Sequence, residues 1–84
     1  MKDYNLISFL QKGKRRLNVL KSLKDKPKTP KEIASELKLS TSNVSNALLE
    51  LSKQNLVKCI TPTAHFYRYY EITKKGKNII KQLT

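Results

Sequence analysis

Residues 32–57 of this chain, EIASELKLSTSNVSNALLELSKQNLV, decide its fold. They contain two stretches with helical spacing, joined at residues 38–40. In the second stretch, apolar side chains recur at i, i+3, i+4 and i+7, which predicts a helix over residues 41–54 with one buried face. The apolar set is Val44, Ala47, Leu48 and Leu51. The opposite face carries Ser42, Asn43, Asn46 and Lys53, with Ser45 at its margin.

Residues 29–32, TPKE, predict where the preceding helix begins. Thr29 can cap the helix, Pro30 suits its first position, and Glu32 completes a capping box three residues after Thr29. We therefore expect a helix over residues 30–37, and Ser40 is the expected cap of the 41–54 helix. Two short helices with a tight link between them are typical of a helix-turn-helix.

The flanking sequence predicts the other elements. Periodic apolar residues indicate helices over 4–11 and 14–24, interrupted at Gly13. Strands are expected over 56–61 and 66–73, joined by a loop at 62–65, and a last helix over 74–83. The predicted fold class is α+β and mostly helical: a three-helix core, a β-hairpin, and short flanking N- and C-terminal helices. At 84 residues, we expect one domain over 1–84.

The formal net charge of +12 is extreme for this length and creates a field that attracts polyanions. The positive charge lies at the two ends, because residues 32–61 carry three basic and three acidic side chains. Nucleic acid is the first candidate partner. A lysine-rich surface maintained for solubility is the alternative explanation.

Composition also excludes several classes of protein. One cysteine and one histidine cannot form an internal disulfide or a four-ligand zinc site. The chain offers no nucleophile beside a base, no paired carboxylates in a plausible cleft and no glycine-rich phosphate loop, so we expect neither catalysis nor a cofactor or metal. It also lacks a signal peptide and the roughly 18 apolar residues of a membrane span, which predicts a cytoplasmic protein.

Two segments of the chain resemble the winged-helix regulators of the ArsR and MarR type. They are LNVLKSLKDKPKTPKEIASELKLSTSNVSNALLELSKQNLVKC, which begins at Leu17, and YRYYEITKKGKNII, which begins at Tyr67. The resemblance implies a winged helix-turn-helix that binds double-stranded DNA and regulates transcription, with repression as the expected sign. It places the 41–54 helix in the major groove and the 61–68 wing against the DNA backbone.

The resemblance and the residue chemistry together indicate candidate DNA-binding residues. Residues expected to face bases are Thr41, Ser42, Asn43, Ser45 and Asn46, with Lys53 further along the same helix. Thr29 and Ser40, at helix N-termini near Lys28 and Lys31, are expected to bind phosphate, and Arg68 is the expected contact of the wing. Affinity is expected to come largely from Lys14, Arg15, Arg16, Lys28, Lys31 and Arg68. Tyr67, Tyr69 and Tyr70 are expected to pack in the core or across the hairpin.

The ends of the chain predict a homodimer. Apolar residues there exceed what a small core needs, so residues 1–12 and 74–84 are expected to pair across a two-fold axis. These residues are Ile7, Leu10, Ile79, Ile80 and Leu83. The chain lacks the Cys- and His-rich ligand motifs of metal-sensing ArsR members and has no space for the long dimerisation helices and ligand pocket of MarR members. A small-molecule effector is therefore not expected.

Two other functions remain open from the sequence. A non-specific architectural or chromatin protein would depend on charge more than on base readout. A winged helix can also serve as a protein-interaction or RNA-binding module, because a fold alone does not determine function.

Overall fold

The computed structural model describes residues 4–61, 63 and 68–83. In order, its elements are α1 (Tyr4–Lys12), α2 (Lys14–Ser22), α3 (Pro30–Leu37), α4 (Thr41–Lys53), β1 (Val57–Cys59), β2 (Tyr70–Ile72) and α5 (Lys74–Leu83). The prediction of a mostly helical α+β chain with a hairpin after the helix-turn-helix is confirmed, and the fold is a winged helix. Within the described residues, no helix is long and apolar enough to cross a membrane.

The helix-turn-helix forms as the sequence predicts. The Thr29 hydroxyl accepts a hydrogen bond from the Glu32 N–H, and the Glu32 carboxylate accepts one from the Thr29 N–H, which completes the capping box. Lys38 ends α3 in the left-handed conformation, with φ of 57°. Ser40 then caps α4 by accepting from the Asn43 N–H at 3.1 Å. These local bonds set the direction of α4 relative to α3.

The core lies between α2, α3 and α4, and both terminal helices cover it. Val19 and Leu20 of α2 are fully buried where this helix packs against Val44 and Leu48 of α4, which are also buried. Buried apolar side chains spread over about two turns, from Val44 to Leu51, therefore hold α4 in place, which leaves its opposite side exposed. Helix α2 ends two residues earlier than predicted, since the Ser22 hydroxyl donates to the Val19 carbonyl and the next residues form a tighter turn.

The terminal helices differ from the sequence expectation. Leu10 of α1 and Ile79 and Ile80 of α5 are buried in the core of their own domain, where α1 packs against α2 and α5. Only Ile7 and Leu83 of the predicted dimer contacts are partly accessible. The assumption of surplus apolar residues at the ends was therefore wrong for three of the five, because a domain this small needs both ends to close its core.

The hairpin is shorter than predicted. Its antiparallel register pairs Val57 with Ile72 and Cys59 with Tyr70. Beyond it the Tyr69 N–H donates to the hydroxyl of Thr61, so a side chain replaces the backbone acceptor and the regular ladder ends. The predicted loop at 62–65 lies, apart from residue 63, outside the described residues.

A backbone bridge ties the hairpin to the helix-turn-helix. The Lys28 N–H donates to the Tyr70 carbonyl at 3.0 Å, and the Tyr70 N–H donates to the Lys28 carbonyl at 2.9 Å. This bridge lies two residues before α3 begins. It therefore holds the N-terminus of α3 beside the base of the wing.

Candidate nucleic-acid interface

The solvent side of α4 presents a row of side chains spaced at i, i+4, i+7 and i+11. This row, the outer stripe, consists of Ser42, Asn46, Leu49 and Lys53, which are all exposed. Residues three or four apart are neighbours on one helix face, so the outer stripe is continuous and about 17 Å long. Its width and length suit insertion into the major groove of B-DNA, which admits one α-helix.

Other candidates on α4 lie at the sides of this row. Thr41 is exposed at the start of the helix, whereas Asn43 and Ser45 are half-buried at its two edges. Ser40 is exposed, but its side-chain oxygen is already engaged in capping α4. Leu49 was not among the residues predicted from the sequence to face DNA, although its spacing of three residues from Asn46 places it on the polar face of the helix.

A groove of about 830 Å³ lies between the N-terminus of α3, the first two turns of α4 and the residue before β2. Its lining includes Lys26 and Lys31 beside Thr41, Ser45 and Tyr69. Tyr69 is 37% exposed and so lies outside the core, one of the two locations predicted for it, whereas Tyr70 is half-buried and packs against the core as predicted. Tyr67 lies outside the described residues. Two lysines thus lie close to Thr41 and Ser45, on the side of α4 next to the outer stripe.

Lys28 departs from the expectation that it binds phosphate. It is largely buried, and its ammonium nitrogen lies 2.7 Å from a carboxylate oxygen of Glu36. Burial follows from the backbone bridge to Tyr70, which draws residue 28 against the hairpin. The charge of Lys28 is therefore balanced within the domain.

The N-terminus of α3 also differs from the phosphate site that the sequence predicts. Two of its backbone N–H groups, those of Thr29 and Glu32, are bonded to side chains of the capping box. The bond from the Thr29 N–H is the main reason that the pKa of the Glu32 carboxyl lies below its ordinary value of 4.5. Because this carboxylate is ionised at neutral pH, an incoming phosphate would meet a negative charge at this helix end.

The remaining candidate cations fall into two groups. Lys14 and Arg15 are exposed on α2, and Arg68 is exposed just before β2. Arg16 instead lies over the Phe9 ring, 4.0 Å from its centre, and its Nε is 3.3 Å from the Glu50 carboxylate. Arg16 therefore links α1 and α2 to α4 and serves packing.

The same winged-helix architecture occurs in several solved structures. A mutant form of ZitR from Lactococcus lactis is 27% identical, with a TM-score of 0.74, and the match covers 83% of this chain and 49% of that one. The MarR-family regulator NMB1585 from Neisseria meningitidis is 24% identical, with a TM-score of 0.74 and coverage of 82% and 50%. This chain thus spans about half the length of both proteins.

A third structure is the homodimeric winged helix-turn-helix DNA-binding domain of Mb0332 from Mycobacterium bovis. It is 21% identical, with a TM-score of 0.69, and the match covers 90% of this chain and 67% of that one. No curated protein gave a match.

A family model supplies the assignment. The model of bacterial regulatory proteins of the arsR family matches residues 13–58, more than half of the chain. The match runs from the residue before α2 into β1 and so includes the whole helix-turn-helix. This chain therefore belongs to the ArsR family of bacterial regulatory proteins, and its fold is that of the family's DNA-binding transcriptional regulator domain.

Proposed function

We propose that this protein represses transcription by binding double-stranded DNA in a sequence-specific manner, with α4 in the major groove. One observation carries the proposal: the outer stripe presents Ser42 and Asn46 to solvent on a helix held firmly by its opposite face. Both side chains can hydrogen-bond to base edges, and Asn can bond to adenine with two hydrogen bonds. Catalysis forms no part of the proposal, because the family consists of regulators without catalytic activity.

In this proposal, the residues that contact the DNA backbone through their charge differ from those that recognise bases. The cations Lys26 and Lys31, at the groove beside α4, and Arg68, before β2, would contact the DNA backbone. Such contacts position a protein on the duplex but carry no sequence information. Repression follows from steric exclusion, since a helix seated in the major groove prevents another protein from occupying the same base pairs.

We also propose that two copies bind together. The related domain of Mb0332, whose match covers 90% of this chain, is homodimeric. A symmetric dimer would place two α4 helices on half-sites about 10 base pairs apart. Of the residues on the terminal helices, Tyr4 is 73% exposed and Ile7 and Leu83 are half-buried, so these three are the candidates for the contact.

The decisive experiment selects duplexes that bind the protein from a random pool and compares variants on the selected site and on a scrambled duplex. Asn46→Ala should weaken binding to the selected site by about 1 to 3 kcal/mol and affect the scrambled duplex much less. Asn18→Ala is the matched control, because Asn18 is also exposed but lies on α2. Equal losses on both duplexes for Asn46→Ala would contradict base readout.

An architectural DNA-binding role is the second candidate, and the net charge of +12 favours it. The same selection separates the two functions. An architectural protein would enrich no sequence and would bind selected and scrambled duplexes with equal affinity. A protein that bound neither duplex at moderate salt would instead be a protein-interaction or RNA-binding module.

A further inference from the structure

Leu49 is the one apolar member of the outer stripe. It lies between Asn46 and Lys53 at spacings of three and four residues, and 58% of its surface is exposed. The apolar residues that join α4 to the core, Val44, Ala47, Leu48 and Leu51, lie on the opposite side of the helix. Packing within the domain therefore gives no reason for a leucine at this position.

The outer stripe determines what Leu49 meets when DNA binds. If α4 enters the major groove with Ser42 and Asn46 toward the bases, Leu49 faces the same groove and its side chain is desolvated. The floor of the major groove presents hydrogen-bonding groups at every base pair and one apolar group, the C5-methyl of thymine. A leucine over hydrogen-bonding groups would leave them without partners, whereas a leucine over the methyl group removes two apolar surfaces from water.

We propose that Leu49 contacts the C5-methyl group of a thymine and makes the protein prefer thymine at one position of each half-site. This inference rests on the proposed sequence-specific binding through α4. Three helical residues span about 4.5 Å along the axis, and stacked base pairs are about 3.4 Å apart. The thymine should therefore lie within two base pairs of the pair that Asn46 reads.

The test changes one methyl group at a time. Starting from the selected duplex, each thymine of a half-site is replaced in turn by deoxyuridine, which differs only in lacking the C5-methyl group. The parent protein should bind one of these duplexes about fourfold more weakly, the effect of withdrawing one methyl group from an apolar contact. Leu49→Ala should bind the thymine and deoxyuridine duplexes equally, and Leu49→Met should keep most of the preference.

Two controls separate this contact from general effects. Asn18→Ala shortens an exposed side chain on α2, outside the outer stripe, and should keep the fourfold preference of the parent. Because Leu49 is exposed, Leu49→Ala should also keep the parent's thermal unfolding and its sedimentation. A change of oligomeric state in Leu49→Ala would assign the residue to a protein contact and overturn the proposal.

The remaining outcomes distinguish this inference from the proposed function. If the parent prefers the selected site but tolerates deoxyuridine at every position, or if Leu49→Ala retains the thymine preference, the methyl contact is wrong and sequence-specific binding stands. If the parent binds selected and scrambled duplexes equally, sequence-specific binding fails and the methyl contact fails with it.

Discussion

The ammonium nitrogen of Lys28 lies 2.7 Å from a carboxylate oxygen of Glu36, two turns into the helix that follows. The lysine side chain is 11% exposed and the glutamate side chain 48% exposed. The pair therefore lies at the edge of the interior, where it connects the segment before α3 to the last turn of that helix. A cation whose charge is balanced in this way is a poor phosphate ligand.

We accordingly expect Lys28→Met to leave the salt dependence of DNA binding unchanged. Lys31→Met, which removes an exposed cation at the groove, should reduce the slope of log K against log salt by about 0.9, the value for one phosphate contact. Titrations at several salt concentrations measure both slopes. The free energy of unfolding should fall by less than about 1 kcal/mol in Lys28→Met. The Met side chain fills the space of the buried lysine methylene groups, and water can hydrate the exposed Glu36 carboxylate. An equal reduction of the slope in the two variants would show that Lys28 contacts a phosphate and would contradict this prediction.

The capping box of α3 predicts a pH dependence of stability. The pKa of Glu32 is lowered in the folded state, chiefly because its carboxylate accepts the Thr29 N–H. A lowered folded pKa means that the contribution of this carboxylate is fully present above the ordinary value of 4.5 and is lost as the pH falls through the lowered value. Urea unfolding of the parent and of Glu32→Gln between pH 3 and 7 measures the effect.

Glu32→Gln keeps an acceptor for the Thr29 N–H but cannot titrate. The difference in stability between the parent and this variant should therefore shrink as the pH falls below about 4.5. A difference that stayed constant over the whole range would show that the carboxylate charge does not matter at this cap. Lys31→Gln, a neighbouring change outside the box, serves as the control.

The corner between β2 and α5 depends on Gly76. A Cβ atom at this position would overlap the Leu56 carbonyl oxygen and lie 2.7 Å from Cγ1 of Ile72. The Gly76 N–H donates to the Thr73 hydroxyl, and the Thr73 N–H donates to the Leu56 carbonyl, so the backbone here cannot move away freely. We expect Gly76→Ala to lower the free energy of unfolding by about 1 to 3 kcal/mol. Denaturant titration checks this, and Asn78→Ala, at an exposed position of α5, should cost little or nothing.

Ile80 is buried within its own domain, so we assign it to the core and not to a dimer contact. Ile80→Ala should lower the free energy of unfolding by about 2 to 4 kcal/mol, because the side chain is buried within its own domain. Tyr4→Glu, at an exposed residue of α1, should leave that free energy nearly unchanged but weaken self-association if α1 forms the contact. Chemical denaturation and sedimentation of both variants measure the two effects. An Ile80→Ala protein that is monomeric but as stable as the parent would show that Ile80 forms the dimer contact and would contradict this prediction.

Most of the fold was predictable because its signals are local. The capping box at Thr29 and Glu32, the cap at Ser40, and the spacing of Val44 and Leu48 each act within a few residues of sequence. For this reason, α3 and α4 begin at the predicted residues. The hairpin was less predictable, since its regular ladder ends where the Thr61 side chain accepts from the Tyr69 N–H, a contact eight residues apart.

The candidate site was likewise predictable only in part. The sequence by itself determined the helix-turn-helix, the polar face of α4 and the excess of positive charge, since helical periodicity and net charge are properties of the chain alone. Only the tertiary structure decided that Lys28 is neutralised by Glu36, that Arg16 is held by Glu50, and that Ile79 and Ile80 close the core. The physical reason is that burial and ion pairing depend on which distant segments come together. A periodic pattern shows that a face is apolar, but it does not show whether the domain itself or a partner covers that face.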